Sequence, residues 1–114
     1  MKGQLQMDKA EAIHSLFYKF ERPPFKAKNR FIRSATWLGG ADDKTGELSV
    51  AEIKRHSEIA AGGAGTLITC LAYISNEGKS FNREWGLHSD ERINDVAMLS
   101  EEVHKFDSRL IVQL

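Results

Sequence analysis

The 114-residue sequence predicts an α/β fold with a parallel sheet, cut from a repeating βα pattern. Two observations carry this. Short strand candidates alternate with amphipathic helical segments, and each helical segment is long enough to carry the chain back for a parallel pairing. The unit length is a third: residues 30–114 hold two and a half βα units at roughly 34 residues each. Eight such units would need roughly 270 residues, the size of a closed (β/α)8 barrel, so the chain holds less than a third of one.

The first strand candidate is Phe31-Ile32-Arg33-Ser34-Ala35-Thr36, which runs into a polar, glycine-rich loop over residues 39–46. Ser49 opens the first helix, and Glu52 three residues on completes a capping-box pattern. Val50, Ile53, Ser57 and Ala60 recur at helical spacing and predict a narrow buried stripe. Gly62-Gly63 ends the helix, where glycine accepts a left-handed C-cap. Residues 66–74 form a near-continuous apolar run, the pattern of a strand covered on both faces. The second helix is predicted from about Asp90 to Phe106, with Ser89 as its cap and Ile93, Val96, Leu99, Val103 and Phe106 as its apolar face. Residues 109–114, Arg-Leu-Ile-Val-Gln-Leu, read as the third strand. Ahead of these units, residues 1–15 read as a polar, helix-capable extension. Residues 16–28, which mix aromatic and basic side chains around Pro23-Pro24, suit a short hairpin or an irregular lead-in.

Composition excludes several function classes. Sixteen basic residues balance sixteen acidic ones, which argues against a nucleic-acid phosphate grip. The apolar runs fall far short of the roughly 20 residues that span a bilayer. The N-terminus lacks the apolar core of a secretory signal. Cys70 is the only cysteine, so no internal disulfide forms and a cytoplasmic location is expected. It reads as a small buried hydrophobe. His14, His56, His88 and His104 show no metal-ligand spacing with it. Gly62-Gly63-Ala64-Gly65 precedes a strand rather than following one, so it is not a dinucleotide fingerprint. Asp42-Asp43 and Asp90-Glu91 read as a solvated loop and a helix start.

In parallel α/β folds the chemistry lies at the carboxyl ends of the strands. That directs attention to residues 34–46, to residues 71–88 and to Gln113. The middle stretch is long for a loop with no evident structure. Its Phe81, Trp85 and His88 suit either an ordered, partly packed lid or a surface excursion. Gln113 is a polar side chain in an apolar strand. It marks either the wetter end of that strand or a donor–acceptor pair for a ring with adjacent carbonyl and imide groups.

Five pieces, in order and at matching spacing, resemble the N-terminal part of the Old Yellow Enzyme family of NADH:flavin oxidoreductases. They are KNRFIRSATW (28–37), AGGAGTLIT (61–69), YISNEG (73–78), LHSDE (87–91) and IVQL (111–114). Leu16-Phe17 fits the family's opening, and the Pro23-Pro24 stretch stands where its bottom-capping hairpin would be. The resemblance covers about residues 16–114. The Ser-Ala-Thr-Trp variant is similar to the 2,4-dienoyl-CoA reductase-like branch.

The resemblance implies the N-terminal portion of a (β/α)8 TIM barrel. It implies an FMN at the barrel's carboxyl mouth that takes hydride from NAD(P)H and passes it to a small-molecule acceptor, an activated alkene, enone or enoyl thioester. It places Ser34, Ala35, Thr36 and Trp37 against the flavin, Leu71 at the next contact position, and Gln113 on the pyrimidine edge. Trp37 departs from the cysteine or threonine of many members, and Gly39 from a tyrosine of some. The family's substrate-positioning histidines, proton-donor tyrosine and phosphate loops lie beyond the third strand, as would an iron–sulfur cluster in larger members. No catalytic residue is therefore assigned. The bare chain is expected to bind FMN weakly or not at all, because the phosphate site lies in later strands, to be inactive alone, and to self-associate, since three strands leave the barrel's inner face open. The alternative is a non-catalytic, self-associating α/β module. No nucleic-acid or membrane partner is expected.

Overall fold

The computed structural model describes residues 8–114. Residues 1–7 of the predicted extension lie outside the described residues. Helix α1 (Lys9–Ser15) is followed by an antiparallel hairpin of β1 (Phe20–Arg22) and β2 (Phe25–Ala27), joined through a cis Pro23–Pro24 bond. Then come β3 (Ile32–Arg33), α2 (Val50–Ala61), β4 (Thr66–Tyr73), β5 (Trp85–Gly86), α3 (Ile93–His104) and β6 (Arg109–Gln113). The sheet is parallel throughout, with β4 at its centre. β3 pairs with its start, β5 with its end, and β6 runs along its other edge. Apart from the two-residue β5, this is the strand–helix–strand–helix–strand order that the sequence predicts.

Burial follows from the two faces of that sheet. Leu67 and Leu110 are register partners and face the helices. There Leu67, Leu99, Val103, Ile53, Ala60 and Trp85 form the core, with Leu110 and Val112 packed against it. The opposite face carries Ile32 and Ile111, 61% and 40% exposed. The hairpin closes the amino end of the sheet: Phe20, Phe25 and Ala27 enclose a cavity with Ile32 and Thr66. Arg109 Nε donates to the Lys26 carbonyl at 2.6 Å.

Several local features differ from expectation. β3 stops at Arg33 instead of continuing to Thr36. The Arg33 guanidinium turns along the chain and donates to the Ser34 carbonyl and to Thr36 Oγ1, while Thr36 Oγ1 donates to the same carbonyl. Local side-chain bonds of this kind replace a ladder. The capping box is half formed. Ser49 Oγ accepts the Glu52 N–H at 3.2 Å, but the Ser49 N–H goes to the Gly40 carbonyl and the Glu52 side chain turns into the core. The buried stripe of α2 is accordingly Glu52, Ile53, His56 and Ala60, while Val50 is 80% exposed. His56 is satisfied by donating from Nδ1 to the Glu52 carbonyl at 2.9 Å.

The second helix begins as a 3-10 turn, Asp90–Arg92, and Ser89 makes no side-chain cap. Asp95 takes the inward position expected of Ile93, because its Oδ2 accepts the Leu48 N–H at 2.9 Å and lies 3.5 Å from Arg92 Nη1. Ile93 is left exposed, as is Phe106 beyond the helix end. The C-cap expectation holds at Gly63, where φ is 109°.

Leu99 is fully buried between α3 and the sheet. Leu99→Ala should cost about 2–5 kcal/mol of stability, as large-to-small changes in a packed core do. Urea unfolding followed by circular dichroism measures it, and a loss within experimental error would contradict this packing.

Candidate functional site

The six sequence-predicted residues lie at or beyond the carboxyl ends of three parallel strands: residues 34–37 follow β3, Leu71 is near the end of β4, and Gln113 ends β6. Leu71 and Gln113 are paired directly across β4 and β6. The ladder shifts between Ile68 and Leu71, and Thr69 repairs it. Its Oγ1 accepts the Gln113 N–H at 3.1 Å and donates to the Cys70 carbonyl at 2.8 Å. The Gln113 side chain is exposed and Leu71 half-buried. Ser34, Thr36 and Trp37 are exposed, and Ala35 is half-buried. Outside the strand ladders, no hydrogen bond among the described residues engages the N–H groups of Ala35, Thr36 or Trp37. The sheet thus ends in a ledge with unengaged backbone donors beyond β3 on one side of β4 and a primary amide on β6 at the other.

That donor set fits the edge of a flavin. An amide offers a donor and an acceptor in one plane, the complement of a pyrimidine carbonyl next to an imide N–H. Free backbone N–H groups would suit the remaining ring heteroatoms, and Leu71 would offer an apolar contact.

Behind the ledge stands a buried polar cluster that sequence reasoning missed. Glu52 is 4% exposed. Its Oε1 accepts from the Cys70 thiol at 3.4 Å, and Oε2 has no partner within the protein. Gly40 is packed against this carboxylate so closely that a Cβ there would fall 2.0 Å from Oε2. Burial, and then the Glu52 carboxylate, push the Cys70 thiol up to about 12, while the Leu38 N–H works the other way. Cys70 is buried, as the sequence predicts. Among the described residues no three His, Cys, Asp or Glu side chains group to hold a metal ion, and no helix is long and apolar enough to cross a membrane.

The stretch after β4 is ordered. It holds a 3-10 turn at Asn76–Gly78 and the short strand β5, neither of which the sequence predicts. Trp85 is 1% exposed and belongs to the core. His88 stacks on Tyr73 with centroids 4.9 Å apart. Asp42-Asp43, expected as solvated loop residues, do more than that. Asp42 Oδ1 accepts the N–H groups of Lys44 and Thr45. Asp43 Oδ1 ties two loops together by accepting Lys79 Nζ at 2.8 Å and the Arg83 N–H at 2.7 Å. The Lys79 ammonium, and then the Arg83 amide, hold the Asp43 carboxyl below its ordinary 3.8. A depressed value means the clasp is at full strength above 3.8 and is lost as the pH falls through the lowered value. No sequence signal reports such a contact, since the partners stand 36 and 40 residues apart.

The sequence profile of the NADH:flavin oxidoreductase / NADH oxidase family matches residues 15–114. An NADPH dehydrogenase of Bacillus pumilus is 28% identical over 87 residues, 76% of this chain and 26% of that protein. One from Halalkalibacterium halodurans is 25% identical over 101 residues, 89% of this chain and 30% of that protein. The chain therefore spans less than a third of the length of these relatives. Among solved structures, a 2-naphthoyl-CoA reductase complex superposes with a TM-score of 0.84 at 24% identity, over 89% of this chain and 15% of that one. The Old Yellow Enzyme of a Pichia species gives 0.80 at 21%, over 88% and 26%. These two likenesses concern the fold: an α/β segment of their TIM barrels.

The burial of Cys70 yields a chemical prediction. A shift from 9.0 to about 12 leaves roughly a thousandfold less thiolate at mildly alkaline pH than a free thiol would carry. Alkylation by iodoacetamide should be at least about tenfold slower in the native chain than in urea. Equal rates, followed by mass spectrometry, would contradict the buried Glu52–Cys70 contact.

Proposed function

The chain belongs to the NADH:flavin oxidoreductase / NADH oxidase family, and on that premise we propose that it forms the flavin-edge segment of an FMN-dependent NAD(P)H oxidoreductase of the Old Yellow Enzyme type. The observation that carries this reading is the register of β4 with β6. It sets Gln113 beside Leu71, while beyond β3, on the other edge of β4, the N–H groups of residues 35–37 are unengaged outside the strand ladders. NADPH as reductant is supported by the names of the relatives. The proposed acceptor is an activated alkene, enone or enoyl thioester, and the Ser34-Ala35-Thr36-Trp37 sequence supports the 2,4-dienoyl-CoA reductase-like branch. A cytoplasmic setting goes with the unpaired Cys70 thiol.

FMN would supply the hydride chemistry when bound, and the role of this chain is to bind and orient it. The Gln113 amide would donate to a pyrimidine carbonyl and accept from the imide N–H. The backbone N–H groups of Ala35, Thr36 and Trp37 would donate to the ring's heteroatoms on the β3 side. Leu71 would fill the apolar space between the two. The Trp37 indole N–H can only donate, so toward a bound flavin this position would offer a donor and accept no proton. Thr69 holds the Gln113 backbone, and so the amide, at a fixed height on the sheet.

A second reading is favoured by the open sheet face, where Ile32 and Ile111 meet solvent: a self-associating α/β module without activity. Both readings require that face to be covered, by further barrel strands or by a second copy.

In a full-length family barrel carrying these residues, Gln113→Ala should weaken FMN binding by about 1–3 kcal/mol, the cost of leaving a buried partner unpaired. Fluorescence titration of FMN measures it, and unchanged affinity would remove Gln113 from the site.

A further inference from the structure

The segments that carry the candidate flavin residues are all tied to one buried residue, Cys70. Its side chain is 4% exposed. The thiol lies 3.4 Å from Glu52 Oε1 on α2 and 3.6 Å from the Leu71 carbonyl near the end of β4. The Leu38 N–H, directly after residues 34–37, approaches the same sulfur and favours its thiolate form. Gln113 is reached through the backbone. Thr69 Oγ1 donates to the Cys70 carbonyl at 2.8 Å and accepts the Gln113 N–H at 3.1 Å.

Residues 34–37 need such an anchor, because they follow the end of β3 and have no regular structure of their own. Arg33 holds the near side by donating to Thr36 Oγ1 at 2.6 Å. The far side is held at the buried cluster. Gly40 lies on the Glu52 side chain, where a Cβ would fall 2.0 Å from Oε2 and 2.9 Å from the Glu52 Cβ. The Gly40 carbonyl accepts the Ser49 N–H at 3.1 Å, which ties the same turn to the start of α2. Glu52 is 4% exposed, and its Oε2 has no partner within the protein. A polar group buried where a leucine would pack costs stability. What it supplies instead is direction, since a hydrogen bond fixes an angle that an apolar contact leaves free.

From this geometry we propose that Glu52 and Cys70 are positioning residues: the carboxylate orients the thiol, and the sulfur sets the Leu38 N–H, and with it residues 34–37, relative to Leu71 and Gln113. The inference rests on the flavin reading for what those residues bind. Its direct content, the placement of the 34–38 backbone by a buried hydrogen-bonded pair, concerns this chain alone. A thiol suits the junction because it donates and accepts at once. The S–H serves the carboxylate while a lone pair faces the Leu38 N–H. Neither side chain reaches the solvent-facing ledge, so both act through the backbone.

The test uses the isotope-labelled 114-residue chain and two pairs of variants, read by NMR. At position 70, serine keeps a donor and an acceptor, while valine keeps an apolar side chain and removes both. Cys70→Ser should leave the amide shifts of residues 35–38 close to native. Cys70→Val should displace them and speed exchange of the Leu38 amide hydrogen at least about tenfold. Glu52→Gln and Glu52→Leu repeat the contrast from α2, with glutamine near native and leucine displaced. A role in packing alone gives the reverse order, because a buried hydroxyl or amide is then the costlier replacement. Urea unfolding separates a displaced loop from a lost fold, and the second pair decides where a Cys70 variant does not fold. The reverse order in either pair, or native shifts at residues 35–38 in all four variants, would overturn the proposal. FMN-induced shifts at the Gln113 amide report the flavin reading separately. Their absence with both contrasts intact would count against that reading and not against the positioning pair.

Discussion

Strand β4 is the member on which the rest of the structure depends. Its eight residues, Thr66–Tyr73, pair with β3, β5 and β6, and six of them are buried. A strand paired along both edges and covered by helices has no alternative register that keeps its apolar set inside. Fixing β4 therefore fixes where its neighbours end. β3 ends opposite Leu67 and β6 opposite Leu71, so Leu71 and Gln113 become neighbours while residues 34–37 leave the sheet on the other edge of β4. The one irregularity, between Ile68 and Leu71, falls where the site begins. Thr69 supplies the missing acceptor there from its side chain.

The elements most legible in the sequence were those whose signal is local. The run at 66–74 is apolar without alternation, and six of the eight β4 residues are buried. Ser49 and the Gly62-Gly63 pair bracket α2 because caps are set within a few residues. Gln113 stood out as a lone amide in an apolar strand. What could not be read depends on partners far along the chain. Glu52 fits a capping box by spacing, yet the thiol of Cys70 and the bare backbone of Gly40 draw it inward. Asp95 displaces Ile93 from the core face because the Leu48 N–H needs an acceptor. β5 is two residues long, too short for any periodicity to reveal.

The polar cluster and the open face are two consequences of one architecture. On the helix side, burial is complete enough that Glu52 and Glu84 each sit nearly out of water, held by a thiol in one case and by loop amides in the other. On the inner side the same sheet leaves Ile32 and Ile111 exposed, with the β1–β2 hairpin lying against Ile32 and Thr66 at the amino end. The site lies at the boundary between these regimes. Its backbone is held by buried groups, while its side chains face outward. That combination suits a surface built to bind a planar group edge-on.

The most direct test of this account is to map where FMN touches the chain. Amide and side-chain shifts of isotope-labelled protein would be recorded as FMN is added to millimolar concentration. The account predicts weak binding, with shifts confined to residues 34–37, Leu71 and the Gln113 side-chain amide. Shifts centred on the β1–β2 hairpin or on the outer faces of α2 and α3, or none at all, would contradict it.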